Sequence, residues 1–579
     1  LRSVREFLQR TRYWWLYLSI AIGVWVLGTI GYLGYYDASA SWIDAAYDSF
    51  KLFKLGYGHE PLGAFTAEPL LQFSRIAAPV VVGIGALLAL VALFRDEFRR
   101  LKARYFWKDH VVVCGLGTKG FRLAKDFWET GCKVAVVEKD PDNPLLGSCR
   151  EMGAALVVGD ARHAESLRAA GVGRAEQLIA VCGEDGVNVE VALQASRAAE
   201  GREADPLHIA SHVTDPHLCR LLKERDWEGR RGGGFRLEFF NIYNDGATAL
   251  LRMYPPFAAV PRGEAPRILV VGLGRVSQAL VRDLARRWAR ERGDGGRLRL
   301  AIADQELGRA WPEFARRVPY LESVCAIEIH ALDRDALTSS PALVARELGP
   351  TPPAAAYVAL ENDSASASAA LALRSAYEGA LFPIVCVLEN DVGLAALIER
   401  IDRGRLHNLH AFPLAERTCT CGLVLQSETE ILARANHEHY RAFRARSTDG
   451  RPADASLAPW DELPEPLKES NRQFVDHVFE KLRAIGYRVV PLEDWRAEPA
   501  ALAPDEIELL ARIEHERFVA ERVRDGWVRG EKDLDRKRHP DLVPWEELAE
   551  PIRDYDRELV RRIPDLLLSV DRTLRRVEL

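Results

Sequence analysis

The sequence predicts an α/β protein on a membrane anchor: a two-helix transmembrane hairpin, two tandem glycine-loop α/β lobes, and a C-terminal all-α repeat domain. Three observations predict it. Two long runs near the start, residues 13–36 and 76–94, carry no charge. Two strand–loop–helix segments turn on glycine-rich loops, at Gly115 and at Gly272. The last third of the chain repeats itself, residues 432–440 being echoed by 510–518 and residues 459–465 by 544–550. A chain of 579 residues has room for several such domains.

The hairpin occupies residues 1–108. As a helix, residues 13–36 cover about 36 Å, enough to cross a bilayer. Arg2, Arg5, Arg10 and Arg12 precede the first span, and Arg95, Arg99, Arg100, Lys102, Arg104 and Lys108 follow the second. The loop between holds only Lys51, Lys54 and Arg75 as cations. This asymmetry puts both termini in the cytoplasm and residues 37–75 outside, as in a multi-pass protein of the cell membrane with lipid around its spans. Trp14, Trp15, Tyr32, Tyr35 and Tyr36 suit the interfacial belts.

Within the loop, residues 42–53 read as a short helix, followed by Lys54, Leu55, Gly56, Tyr57, Gly58 and His59. Helix, glycine-rich strand, helix resembles a potassium-channel pore loop, whose filter reads TVGYG and then Asp. Here Lys54 stands for the Thr, Leu55 for the Val and His59 for the Asp. A filter replaces an ion's hydration shell with oxygens, and Lys54 supplies a cation there instead.

Composition bounds the soluble part. Its 78 basic and 84 acidic side chains leave a net charge of −6, which does not suit a nucleic-acid partner. The nine cysteines form no CxxC pair, and most lie in apolar runs, as buried thiols of a reduced compartment do. Cys419 and Cys421 are read the same way, and no metal is expected.

Residues 109–260 form the first lobe. Val111 to Cys114 is a buried strand running into Gly115, Leu116, Gly117, Thr118, Lys119 and Gly120, then a helix to Glu129 and a strand closing on Glu138. Such a loop uses the first glycine for the turn, the second for close approach to a pyrophosphate and the third for helix–strand packing. The helix N-terminus supplies N–H groups for the anion. Glu138 is placed to accept ribose hydroxyls and disfavours a 2′-phosphate. Strands at residues 155–158 and 177–181 follow, with Gly159–Asp160 after one and Asp185 and Asn188 after the other. These residues resemble the RCK, or TrkA-N, domain, the regulator of K⁺ conductance. The resemblance implies a Rossmann-like lobe that binds a nucleotide and couples binding to gating of a channel or transporter.

Residues 261–425 read as a second, degenerate lobe of this kind. Its strand at residues 267–271 runs into Gly272, Leu273 and Gly274, Ser277 takes the third glycine's place, and Asp304 ends the next strand. Further echoes follow at Glu361, Asn362 and Asp363.

Residues 426–579 hold the repeat, which suggests paired helical units about a pseudo-twofold axis. His515–Glu516, residues 526–530, Lys537, His539–Pro540 and Pro544–Trp545 resemble the RyR domain, the repeat of ryanodine receptors. Trp527 and Trp545 beside Arg529 and Lys537 read as a stacking and phosphate pocket, with core tryptophans as the alternative. His515 has no second His four residues on, so hydrogen bonding is its expected role.

Together these features predict a ligand-gated ion channel subunit that senses a nucleotide or dinucleotide (NAD-, ATP- or cyclic-nucleotide-like) through its RCK lobes, its RyR domain or both. It would assemble as a symmetric homo-oligomer, with the tetramer favoured by the resemblance. The alternative is a non-conducting membrane-anchored nucleotide sensor or stress or antiviral effector. No catalytic His, Lys or Tyr constellation is visible, so an enzyme is not expected.

Overall fold

The computed structural model describes the chain except residues 1, 37–40, 55–68, 203–205, 230–233, 258–259, 262, 292–295, 333–340, 390–392, 403–407, 425–427, 447–454, 493, 532, 534–535 and 578–579. Two compact units form, Leu1–Lys102 and Ala103–Leu579.

In the first unit, α1 (Arg2–Tyr35) and α3 (Pro69–Leu93) flank the short α2 (Trp42–Leu52). Among the described residues, α1 and α3 are long and apolar enough to cross a membrane. The second helix starts several residues before the uncharged run, so Arg75 lies within it. Small residues let the helices approach. A methyl group on Gly28 would collide with Ser49, and one on Gly31 with the Leu71 backbone. Polar groups pair inside: Trp25 Nε1 donates to the Ala46 carbonyl at 3.0 Å, Ser49 Oγ to the Trp25 carbonyl at 2.8 Å. The expected loop helix is therefore α2, capped by Ser41. Lys54 is exposed just beyond it, and Leu55, Gly56, Tyr57 and Gly58 lie outside the described residues. A helix α4 (Arg95–Tyr105) follows, and the Phe98 N–H to Phe94 carbonyl bond carries the ladder through the joint.

The second unit opens with the end of α4 packed on the first lobe. Ala103 is buried in that lobe's core, Arg174 donates to the Arg104 and Trp107 carbonyls, and His110 Nε2 bonds the Ala170 carbonyl at 2.9 Å. The strands β1 (Val111–Cys114), β2 (Val134–Glu138), β3 (Ala155–Val158), β4 (Gln177–Ala180), β5 (Leu207–His212) and β6 (Phe235–Phe240) form one parallel sheet in the order 3-2-1-4-5-6. Val113 sits between Val136 and Ile179. β1 is apolar throughout because helices cover both faces. The second lobe repeats the order with β7 (Arg267–Val271), β8 (Leu298–Asp304), β9 (Cys325–Ala331), β10 (Ala355–Val358), β11 (Ile384–Leu388) and β12 (Leu409–Pro413): 9-8-7-10-11-12, all parallel. Both lobes are full doubly wound sheets, each with its strand-order reversal beside the glycine-loop strand.

The lobes exchange segments. The helix Ile242–Met253 follows β6, yet its Ala247, Leu250 and Leu251 are buried in the second lobe's core. In return, Cys419 is buried in a first-lobe core, and the Cys421 N–H donates to Asp126 of α5 (Thr118–Glu129) at 2.7 Å. The boundary at residue 260 thus divides the chain but not the packing.

The C-terminal repeat forms one core around Trp460, Phe474, Leu510, Trp545 and Val560. Its copies match element by element. His437 bonds the Ala458 carbonyl and lies 5.7 Å from Trp460, while His515 bonds the Val543 carbonyl and lies 5.8 Å from Trp545. The expected all-α domain carries strands as well: Tyr487–Pro491 of one copy pairs antiparallel with Arg572–Arg576 of the other. Residues 526–539 add a short strand pair, Val528–Arg529 with Arg538–His539.

Candidate functional site

The loops after β1 and β7 open onto one cavity of about 1120 Å³, lined by both lobes. Gly115 has φ +96°, and a methyl group there would meet the Cys182 backbone at 2.9 Å. Gly272 has φ +97° and faces the Ala359 carbonyl in the same way. Both are turn glycines, and Gly115 lines the cavity while Gly272 does not. A methyl group on Gly120 would strike the Gly115 carbonyl, so that glycine lets α5 close on β1. Ser277 takes its place in the second lobe, fully buried. Gly117 and Gly274 differ from these: a methyl group at either meets nothing within 4 Å. Both line the cavity, so the space before them is what their lack of a side chain keeps open.

The acid ending the second strand of each lobe organises its loop. Glu138 accepts from the Leu116 N–H at 2.6 Å and from the Asp140 N–H at 2.8 Å. Asp304 accepts from the Leu273 N–H at 2.6 Å and from the Glu306 N–H at 2.9 Å. Both carboxylates line the cavity and keep lone pairs for a hydroxyl donor. Thr118 and Lys119 line it at the start of α5, whose N-cap, Gly117, offers no side-chain acceptor, so the helix start has no side-chain cap.

Asp160 also lines the cavity and is paired with Arg162 at 2.7 Å, with Lys139 at 3.6 Å. The Arg162 guanidinium holds its carboxyl well below the usual range. Asp185 and Asn188 lie outside the lining, as does Gly272. Burial works against ionising Asp185, but the Thr214 and Asp215 N–H groups outweigh it and keep its pKa low. Asn188 spends its amide on Cys182 and on the His212 carbonyl. These two residues hold the loop's shape rather than meeting a ligand. The second lobe repeats the device, with Asp363 accepting from the Glu389 N–H and Ser366 from the Leu360 N–H.

Sequence reasoning missed Tyr243, which lines the cavity from the helix Ile242–Met253. The Lys119 ammonium lies 6.0 Å and the Arg275 guanidinium 5.8 Å from its ring centre. Nothing local marks it, because only the segment exchange brings it there. The adjacent glycine-loop position could have flagged Arg275.

Of the C-terminal candidates, Trp545 is buried in the core, like its counterpart Trp460. Trp527 stacks under Arg522 at 4.7 Å, Arg529 pairs with Glu547 at 3.5 Å, and Lys537 donates to the Asp525 carbonyl. Trp527, Arg529 and Lys537 lie at the short strand pair of residues 528–539.

Comparison with known proteins agrees with this architecture. Residues 111–226 match the TrkA-N domain and residues 503–576 the RyR domain. These spans cover the first lobe from β1 through β5 and the second C-terminal copy. The Probable potassium channel protein 2 of Methanocaldococcus jannaschii is 28% identical over 185 residues, covering 28% of this chain and 49% of that protein. The Trk system potassium uptake protein TrkA of Streptomyces coelicolor is 32% identical over 115 residues, covering 20% of this chain and 48% of that one. The chain spans about half the length of the curated relatives it matches. A crystal structure of GsuK bound to ADP aligns with a TM-score of 0.38 at 16% identity, covering 72% of this chain and 98% of that chain.

Proposed function

We propose that the chain is a subunit of a ligand-gated ion channel, in which a nucleotide-type ligand in the interlobe cleft biases the lobes and the lobes act on the membrane helices. The observation carrying this reading is the cleft: two glycine loops, each held by its own carboxylate, open onto one cavity lined by both lobes. A ligand shifts such an equilibrium only by binding one state better, and a ligand touching both lobes does so by favouring closure. The route to the membrane is the chain itself, since α3 leads into α4 and the last turn of α4 is built into the first lobe. The potassium-channel names of the relatives support an ion-conducting role.

A two-helix hairpin cannot enclose a pore alone, so the subunits assemble as a symmetric ring, a tetramer by family resemblance, with both termini cytoplasmic. Glu138 and Asp304 favour a ligand with free ribose hydroxyls, of the NAD, ATP or cyclic-nucleotide kind. In this reading the cleft is a binding site, and its organising acids fix the loops through backbone N–H groups while their remaining lone pairs receive ligand hydroxyls.

Lys54 favours a second reading. A cation stands where a potassium filter has a hydroxyl, which suits a non-conducting membrane-anchored sensor or effector. Vesicles reconstituted with the purified chain separate the two. Nucleotide-dependent cation flux supports the channel, and vesicles that stay tight under NAD, ATP and cyclic nucleotides overturn it.

A further inference from the structure

The cleft has a charge pattern that a single nucleotide site does not need. Glu138 holds the first loop and Asp304 the second, with matching bonds to loop N–H groups. The lining cations Lys139 and Arg162 are paired with Asp160. The cations Lys119 and Arg275, one from each loop, approach the same Tyr243 ring instead. Two mononucleotides would each bring a terminal phosphate to this centre, so two multiply charged groups would crowd one cationic pair. A dinucleotide distributes its charge differently: a neutral diol at each end and phosphates only in the middle. The cavity, at about 1120 Å³, lies above the roughly 300–1,000 Å³ that ordinarily holds one drug-sized ligand.

We infer that the cleft takes one dinucleotide lengthwise, with a ribose diol on Glu138, the other on Asp304, and the pyrophosphate between Lys119 and Arg275. This rests on the reading of the cleft as a nucleotide site. It makes each chain's two lobes halves of one receptor, and it gives the second lobe, whose loop departs from the full glycine pattern at Ser277, a binding role of its own.

The test uses the full chain in detergent, titrated calorimetrically with diadenosine pyrophosphate and with AMP. Two variants block one half each, Gly117→Leu and Gly274→Leu. A Cβ at either position meets nothing within 4 Å, and the unfolding midpoint checks that the larger side chain leaves the fold intact. The expected result is one diadenosine pyrophosphate per chain. Either variant alone weakens it by about a hundredfold or more, the loss of a linked second contact. AMP binding at the first lobe survives Gly274→Leu within a few-fold. Two dinucleotides per chain, or unchanged dinucleotide affinity in Gly274→Leu, overturn the lengthwise mode and leave a first-lobe nucleotide site standing. A folded chain that binds neither compound overturns that site as well.

Discussion

Glycines in the same loop do different work, and substitution separates them. Gly115 sits at positive φ against the Cys182 backbone, whereas Gly117 sits at φ −81° before open space. Gly115→Ala should cost about 2 kcal/mol or more, from left-handed strain and backbone displacement. Gly117→Ala should cost at most about 1 kcal/mol, as at an uncapped helix start. Denaturant midpoints measure both, and equal midpoints would refute the assignment. His212 offers a pH handle. Burial, with help from the Lys119 ammonium, pushes its imidazole down to about 3. Its folded pKa therefore lies below the unfolded value of about 6.5, so the unfolded chain binds an extra proton between these pH values. Stability from this group is present above pH 6.5 and falls as the pH drops, by about 1.4 kcal/mol per unit. His212→Gln should flatten the melting-temperature profile over that window; an unchanged slope would contradict the neutral assignment.

At the scale of elements, the exchange of the helix Ile242–Met253 against residues 414–424 binds the lobes together. Leu250 is numbered with the first lobe but fully buried in the second. Leu250→Ala should cost about 2–5 kcal/mol, as a core cavity does, and should lower the unfolding of both lobes together. Separate calorimetric transitions, only one of them moved, would show that the lobes are independent. The exchange was not legible in the sequence. Helical apolar spacing says that a face is buried, not against which lobe. The strands β1, β7 and β11 were legible to the residue, because each is a short apolar run ended by a turn or polar signal. The strand Arg572–Arg576 was not, since its three arginines hide the alternation. Trp545 was ambiguous for a chemical reason: an indole serves a core and a stacking pocket equally well.

At the scale of the second unit, the repeat domain is pinned to both lobes. Arg236 on β6 reaches Glu469 at 2.5 Å and Asp476 at 3.1 Å, while Arg286 and Arg290 of the second lobe grip Asp571. Any opening of the cleft must therefore be felt by that domain. Arg236→Ala removes the cation that Glu469 and Asp476 share, although Glu469 keeps Arg472 at 3.6 Å, and should cost about 1–3 kcal/mol. Hydrogen exchange in residues 465–476 should speed up, and unchanged protection there would mean that the contact does not hold the domain. The paired glycine-loop acids, Glu138 and Asp304, were named from the sequence alone. Their convergence on one cavity was not, because nothing in a linear motif says that two loops will face each other.

The central claim is that a nucleotide in this cleft controls conductance, and single-channel recording in planar bilayers tests it most directly. Purified chain and Gly117→Leu are compared with and without a dinucleotide on the side carrying the lobes. The account predicts single-channel currents whose open probability changes on addition of the ligand in the native chain and stays unchanged in the variant. Silence at every voltage and ligand concentration, or an identical response in both proteins, would contradict it.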